Sequence, residues 1–152
     1  MHIPRVFTLF LVVILATALL GGCSSAAPTR SSQTQGMAMA DMPSYMQSAP
    51  ATVQEAYQFA VTNPHALETV PCYCGCGKMG HKSNLHCYIK DRDANSKITF
   101  DDHASYCGVC VDITQVVIRM QKEGKSPHEI RTAVDAQFSS FGPSTDTPLP
   151  AA

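Results

Sequence analysis

Three cysteines stand at alternate positions in the stretch VPCYCGCGKMGH, which runs from Val70 to His81. Side chains two apart in a strand share a face, and the glycines between and behind these cysteines also permit a tight loop that turns the thiols inward. Three thiols on one short loop make a poor disulfide framework, because each needs its own partner at a Cα separation of about 5.5 Å. The same crowding suits a soft metal ion, which gathers several thiolates around one point.

Further soft donors follow along the chain. A CxxC pair, Cys107 and Cys110, comes shortly after His103, and the i, i+4 and i+7 spacing of these three residues would place them on one face of a helix. We predict that this helix start meets the CxCxC loop in space, because one metal centre or a set of disulfides would each require it. The candidate metal ligands are Cys72, Cys74, Cys76, Cys87, Cys107, Cys110, His81, His86 and His103.

Copper and zinc are the ions that such a donor set predicts. Cu(I) favours two or three thiolates, whereas Zn²⁺ takes four ligands drawn from cysteine and histidine. Because the chain offers both kinds of set, we favour Cu(I) as the functional ion and keep Zn²⁺ as a structural one. The corresponding role is metal homeostasis or resistance.

Two other interpretations of the thiols stay open at this point. Outside the cytosol an even number of cysteines is typically paired, which predicts a disulfide-stapled interaction module. A thiol near a helix start has a lowered pKa, which predicts a thiol–disulfide redox protein, although Asp101, Asp102 and Asp112 surround Cys107 with opposing charge. The sequence shows no Ser/His/Asp set and no phosphate-binding loop, so we expect that the protein is not an enzyme.

The N-terminus indicates the compartment in which these thiols work. His2 and Arg5 precede an apolar run from Val6 to Leu20. At about 15 residues this run is shorter than the roughly 20 that a spanning helix needs, and it is typical of a secretory signal. The following LLGGC resembles a bacterial lipobox, in which the signal is cut before the cysteine and the thiol is lipidated. The resemblance implies an extracytoplasmic protein that is anchored to a bacterial membrane by Cys23.

The composition indicates one small domain with few electrostatic partners. The 152-residue chain carries 11 basic and 12 acidic residues and has no basic run. Nucleic acid is therefore excluded as an expected partner, and the membrane and a metal ion are the partners that we predict. We predict a lipoprotein signal peptide over 1–22, a flexible methionine-containing tether over 23–50, a Cys-rich domain over 51–142 and a disordered tail over 143–152.

The tether contains four methionines, at positions 37, 39, 42 and 46. Thioethers are soft donors that suit Cu(I), but binding requires a geometry that a flexible segment lacks. The polar composition around them shows no apolar periodicity. We therefore interpret these methionines as part of a linker rather than as ligands.

The fold class predicted for the domain is mainly α, with about three helices, a Cys-rich loop and a short β-hairpin. The first helix follows from Thr52 and Glu55, which have capping-box spacing, and from apolar residues that recur at helical intervals. It should run from about Val53 to Thr62 and stop before Pro64.

Two more helices are predicted in the second half of the domain. The first would be capped by Asp101 or Asp102 and would end at Gly124. Its apolar stripe contains Tyr106, Val109, Ile113, Val116, Val117 and Met120. The last helix begins at the capping box SPHE, which starts at Ser126, and ends before Gly142.

The stretch HCYIKDRDANSKITFDD predicts two short strands around a turn. Its part from Asp91 to Asp102 has acids or amides at three positions of an EF-hand-like loop, but Ser96 stands where that loop needs glycine. We therefore favour a solvated hairpin turn over a calcium site.

Three stretches of the domain resemble the PCYCGC-motif family of bacterial lipoproteins. They are PCYCGCG (Pro71–Gly77), GHKSNLHCYI (Gly80–Ile89) and FDDHASYCGVCVDI (Phe100–Ile113). The resemblance implies a cell-envelope lipoprotein and brings with it no enzyme activity. The metal hypothesis therefore rests on the residues themselves.

Overall fold

Five α-helices and one β-hairpin make up the part of the chain that the structure describes, residues 37–151 of this computed structural model. The helices are α1 (Ser44–Gln47), α2 (Ala51–Thr62), α3 (Pro64–Glu68), α4 (Gly108–Lys122) and α5 (Pro127–Phe138). The strands are β1 (Ile89–Arg92) and β2 (Ile98–Phe100). Of four short 3₁₀ helices, one precedes α1 and three lie in connecting segments. The predicted fold class, a small and mainly helical domain with a short hairpin, is confirmed.

Helix α2 lies where the sequence predicts a helix, but the capping box predicted at Thr52 and Glu55 does not form. Pro50 is the N-cap, and its carbonyl accepts hydrogen bonds from the amides of Val53 and Gln54 at 2.9 and 3.0 Å. Thr52 therefore lies inside the first turn, where its side chain cannot act as a cap. The fixed φ of proline, here −53°, directs the chain into the helix without a side-chain acceptor.

The prediction of a flexible tether is wrong for its described part, which begins at residue 37. Met42 is 3% exposed and Met46 is fully buried in the core. Met37 and Met39 are half-buried and pack against the same core. Methionine side chains are apolar and adaptable enough to fill irregular gaps, so these residues extend the domain rather than link it.

The hairpin forms as predicted. Strands β1 and β2 pair antiparallel, with Asp91 opposite Thr99. In the turn between them, the Asp93 carboxylate accepts hydrogen bonds from the amides of Asn95 and Lys97 at 2.9 and 2.8 Å. The acidic stretch therefore closes a turn with its own backbone, which is the interpretation that the sequence favours.

Helix α4 begins at Gly108, later than predicted. Residues His103–Ser105 form a separate 3₁₀ turn, in which Asp101 Oδ1 accepts from the His103 amide at 2.9 Å. The chain then extends at Cys107, the N-cap of α4, before the helix starts. Tyr106 consequently lies outside the apolar stripe and is 71% exposed. The prediction that His103, Cys107 and Cys110 share one helix face is wrong.

The boundary between α4 and α5 follows the sequence closely. Gly124 ends α4 with φ at +73°, a conformation that side chains with a Cβ rarely adopt. The predicted capping box is present, because the Ser126 amide donates to Glu129 Oε2 at 2.8 Å and the Glu129 amide donates to Ser126 Oγ at 3.3 Å. Helix α5 ends at Phe138, and Phe141 beyond it is exposed.

Residues 143–151, which we name the C-terminal strap, are ordered against the domain. The prediction of a disordered tail is therefore wrong for these residues. Thr145 is 3% exposed and pairs with Cys72 in both directions. Its amide donates to the Cys72 carbonyl, and its Oγ1 accepts from the Cys72 amide, both at 2.9 Å. Arg131 of α5 also donates to the carbonyls of Thr147 and Pro148. The strap is therefore part of the domain.

Buried tyrosines join the helical core to the segments that carry the cysteines. The rings of Tyr57 on α2 and Tyr88 before β1 meet edge to face, with centroids 4.8 Å apart. The Tyr57 hydroxyl donates to the Asp101 carbonyl at 2.7 Å. This bond fixes the chain directly before His103 and so positions that imidazole.

Candidate metal centre

The PCYCGC segment is an irregular loop that helix α5 holds in place. The Tyr73 hydroxyl donates to Asp135 Oδ1 at 2.8 Å, and Arg131 donates to the Thr69 carbonyl at 3.2 Å. Gly75 has φ at +84°, which lets the chain reverse into a 3₁₀ turn directly after it. The direction of the thiols is therefore set by α5 and by one glycine.

Four donor atoms meet at the start of α4, and we name their residues the outer group: Cys74, His103, Cys107 and Cys110. All four atoms lie within 4.8 Å of one another. Cys74 Sγ lies 3.3 Å from His103 Nε2 and 3.7 Å from Cys110 Sγ. Cys110 is buried, and the other three residues are half-buried. Three thiols and one imidazole match the donor set of a tetrahedral Cys₃His site.

Three further thiols form the inner group: Cys72, Cys76 and Cys87. Their sulfur atoms lie within 4.8 Å of one another, and their side chains are 0–2% exposed. His81 contacts this group, because its Nδ1 lies 3.5 Å from Cys87 Sγ. The other ring nitrogen of His81 lies 3.6 Å from Asp101 Oδ2, an arrangement that orients an imidazole toward a metal.

The two groups touch each other without any disulfide. Cys72 Sγ lies 3.3 Å from Cys110 Sγ and 3.4 Å from Cys74 Sγ. A disulfide would require about 2.05 Å, and all six cysteines in the described part of the chain are free thiols. Thiolates held about 2.3 Å from one tetrahedral ion lie roughly 3.8 Å apart. The observed separations are therefore close to those of sulfurs around a metal.

The structure brings together most of the residues that the sequence singles out. All six described cysteines, His81 and His103 converge at one place, where the CxCxC loop meets the start of α4. His86 is the exception, because it belongs to neither group and its Nδ1 contacts Ser83 Oγ at 3.2 Å. Cys87 joins the cluster although it has no partner in a short motif.

A buried hydrogen-bond network fixes Cys110, and sequence reasoning missed all of it. The Tyr88 hydroxyl and the Asn84 side-chain amide donate to the Cys110 carbonyl at 2.8 and 3.2 Å. Thr114 Oγ1 donates to Asn84 Oδ1 at 2.8 Å and lies 2.7 Å from the Tyr88 hydroxyl. Each of these polar groups is buried and paired. Single polar residues without a motif give no signal in the sequence.

Thiols this close cannot all ionise without a counter-charge. Hydrogen bonding from Cys110 lowers the pKa of Cys72 to about 4 and also lowers the pKa of Cys74. Hydrogen bonding within the cluster raises the pKa of Cys76 and Cys110 through Cys72, and raises the pKa of Cys87 through Cys110. A second anion beside the first is unfavourable in a buried site. A cation would relieve this, and both groups can hold a metal ion.

A cleft of about 330 Å³ opens beside the outer group. His81 and His103 line it with their rings at a right angle and their centroids 5.4 Å apart. His86 and Met79 also line it, and Met79 is 58% exposed rather than packed in the loop. Through His103, the cleft connects the outer group with solvent.

The proposed lipidation site, Cys23, and the predicted signal peptide lie outside the described residues. Within residues 37–151, no helix combines the length and the apolar character that crossing a membrane requires.

Comparison with known proteins identifies a family and no individual relative. A family model described as "Protein of unknown function with PCYCGC motif" matches residues 12–150, which is nearly the whole chain. No curated protein and no solved structure matches the chain. The matched segment includes every residue of both thiol groups and all of the C-terminal strap except its last residue. The chain belongs to the PCYCGC-motif protein family.

Proposed function

We propose that this protein is a membrane-anchored extracytoplasmic lipoprotein that binds a soft metal ion, with Cu(I) favoured, through the inner and outer groups. The observation that supports this most directly is the convergence of six unpaired thiols and two imidazoles. A domain that depended on disulfides would place such sulfurs in bonded pairs. Unpaired thiols at ligand-to-ligand distances are instead what a thiolate metal site requires.

The inner group supports Cu(I) as the functional ion. Its three members are all thiols, and the protein almost completely shields them from water. A soft ion of low coordination number suits this set, because it needs few ligands and prefers sulfur. The outer group also suits Zn²⁺, which prefers four ligands of cysteine and histidine. Zinc is thus the alternative ion for the same residues.

The proposed role is binding, in metal homeostasis or resistance, rather than catalysis. Catalytic metal sites keep a coordination position open for water or substrate, usually with three protein ligands. The outer group already supplies four donors within one small volume. An ion held by all four would have no coordination position open for a substrate.

Attachment to the membrane is the part of the proposal that depends on Cys23. The apolar run and the LLGGC sequence support cleavage before this cysteine and lipidation of its thiol. The Cys23→Ala variant should be released from the membrane or accumulate as an unprocessed precursor. An intact, uncleaved N-terminus in the mature wild-type protein would contradict the anchor.

A combined thiol count and metal analysis tests the binding role. The full chain would be purified from its native envelope without reductant, analysed for metal, and then unfolded with a chelator to count its reactive thiols. We expect bound copper and six reactive thiols besides the lipidated one. Six oxidised cysteines without metal would overturn the proposal and favour a stapled module. Disulfide exchange that Cys107→Ser abolishes, with metal content unchanged, would favour the redox interpretation.

A further inference from the structure

The inner and outer groups are in direct contact, so they are not two independent sites. Cys72 Sγ lies 3.3 Å from Cys110 Sγ and 3.4 Å from Cys74 Sγ. Within the inner group itself, Cys76 Sγ and Cys87 Sγ are 3.7 Å apart. Cys72 is therefore at least as close to the outer group as members of the inner group are to each other.

One ion cannot use all these donors. A tetrahedral ion has four positions, and ligand sulfurs about 2.3 Å from one ion lie at most about 4.6 Å apart. The two groups together contain seven donors, and His81 adds an eighth next to the inner group. Cys72 with Cys74, Cys110 and His103 fills one tetrahedral set. The remaining donors, with Cys72 at their junction, are enough for a second ion.

The burial of the inner thiols also supports a second ion. The three inner thiols are 0–2% exposed, and water cannot stabilise a negative charge there. An ion in the outer group alone would leave the three inner sulfurs, which lie within 4.8 Å of one another, without a metal. A buried charge is tolerated when it is paired or coordinates a metal. A second ion between Cys72, Cys76 and Cys87 provides that pairing.

We infer that the two groups form one binuclear centre, which takes two Cu(I) ions and in which the Cys72 thiolate bridges them. Cys74, Cys110 and His103 hold the first ion together with the bridge, and Cys107 lies beside them. Cys76 and Cys87 hold the second ion together with the bridge, and His81 lies beside them. The inference rests on the proposed metal-binding function and goes beyond it in stoichiometry and in the shared ligand.

Titration of the reduced full chain with Cu(I) alone, under anaerobic conditions, tests this. Native mass spectrometry should show two ions per chain, and X-ray absorption should show a short copper–copper vector, which a shared sulfur enforces. One ion per chain, or two ions without that vector, would overturn the binuclear centre and leave the proposed function intact. No binding by the reduced chain would overturn both.

The Cys72→Ser variant tests the bridge itself. We expect it to bind one ion in the outer group and to lose the copper–copper vector. The matched control is His86→Ala, which changes a residue beside the cluster that belongs to neither group, and it should keep both ions. A Cys72→Ser chain that retains two ions and the vector would exclude Cys72 as the bridge. Should this variant fail to fold, the copper–copper vector of the wild-type chain still decides whether the two ions share a sulfur.

Discussion

The inner and outer groups use the same kind of ligand in opposite surroundings. The inner thiols lie in the same hydrophobic core as the buried Tyr88, and the C-terminal strap bonds to the backbone of Cys72. The outer group has three half-buried members and reaches solvent through His103 and the cleft. Because exchange of an ion requires an incoming ligand to approach, the outer group is the side at which exchange should begin.

This difference in burial gives the inner and outer groups different roles, retention of an ion and exchange of an ion. A buried thiol group cannot release an ion unless the strap or the loop moves, so it should hold its ion for longer. A half-exposed group can pass an ion to another ligand without any change of fold. The contact between Cys72 and Cys110 joins the two roles, because a sulfur there belongs to both surroundings.

The largest effect is expected when each group loses one thiol. The double variant Cys74→Ser, Cys76→Ser takes one ligand from each group and replaces a soft donor with a hard one. Since loss of a ligand's supporting residue already costs about 10–100-fold in affinity, loss of two ligands should remove most Cu(I) binding. Competition against a Cu(I) chelator measures this loss of affinity.

The matched control for this prediction is Met37→Leu, Met39→Leu. Both methionines are half-buried packing residues, and exchange with leucine conserves their volume. We expect unchanged Cu(I) affinity. Equal losses in the two double variants would show that the thioethers bind the ion and that the two groups are not the site.

The sequence predicts those features that short-range chemistry determines. The thiols are recognisable by type and spacing, and the capping box at Ser126 sets the start of α5 through bonds that span three residues. The hairpin and the end of α4 at Gly124 are equally local. In such cases the determining contacts lie within the same short segment as the residues that reveal them.

Other features depend on partners far away in the chain and could not be predicted. Thr145 bonds to Cys72 across 73 positions, and backbone atoms make half of that pairing. The burial of Met46 likewise depends on tertiary packing rather than on local pattern. His103 reaches the cluster although the helix predicted to carry it begins later, because Tyr57 holds the preceding carbonyl.

Removal of the Tyr88 hydroxyl should weaken both groups, because Cys110 contacts both. In Tyr88→Phe the Cys110 carbonyl loses the nearest of its donors, at 2.8 Å, and Thr114 Oγ1 loses a partner at 2.7 Å. We expect a loss of about 1–3 kcal/mol in the free energy of unfolding and of about tenfold in Cu(I) affinity. Chemical denaturation and chelator competition measure these. The control is Tyr45→Phe at the surface, and an equal effect there would contradict the role of the network.

The Thr145→Val variant should affect the inner group more than the outer group. It keeps the shape of the side chain but removes the acceptor of the buried Cys72 amide. The expected loss is about 1–3 kcal/mol in the free energy of unfolding, because the buried Cys72 amide loses its acceptor and Thr147 Oγ1 loses a partner. The inner ion should also dissociate faster, while the outer ion, which keeps three other ligands besides Cys72, should be accelerated less. Thr99→Val on the exposed face of β2 is the control. Equal acceleration of both ions would show that the strap does not distinguish the two groups.

The smallest effect is expected at Met79, and it should appear in rates rather than in equilibria. Met79 is exposed and lines the cleft, but it belongs to neither group. Its thioether can hold Cu(I) briefly on the way to His103. Met79→Leu conserves volume and removes this donor, so uptake of Cu(I) from a chelator should slow several-fold with unchanged affinity. Stopped-flow competition measures the rate, with the half-buried Met120→Leu on α4 as the control. A fall in affinity would show that Met79 is a ligand. An unchanged rate would show that ions do not pass Met79 on entry, and would contradict exchange through the cleft beside the outer group.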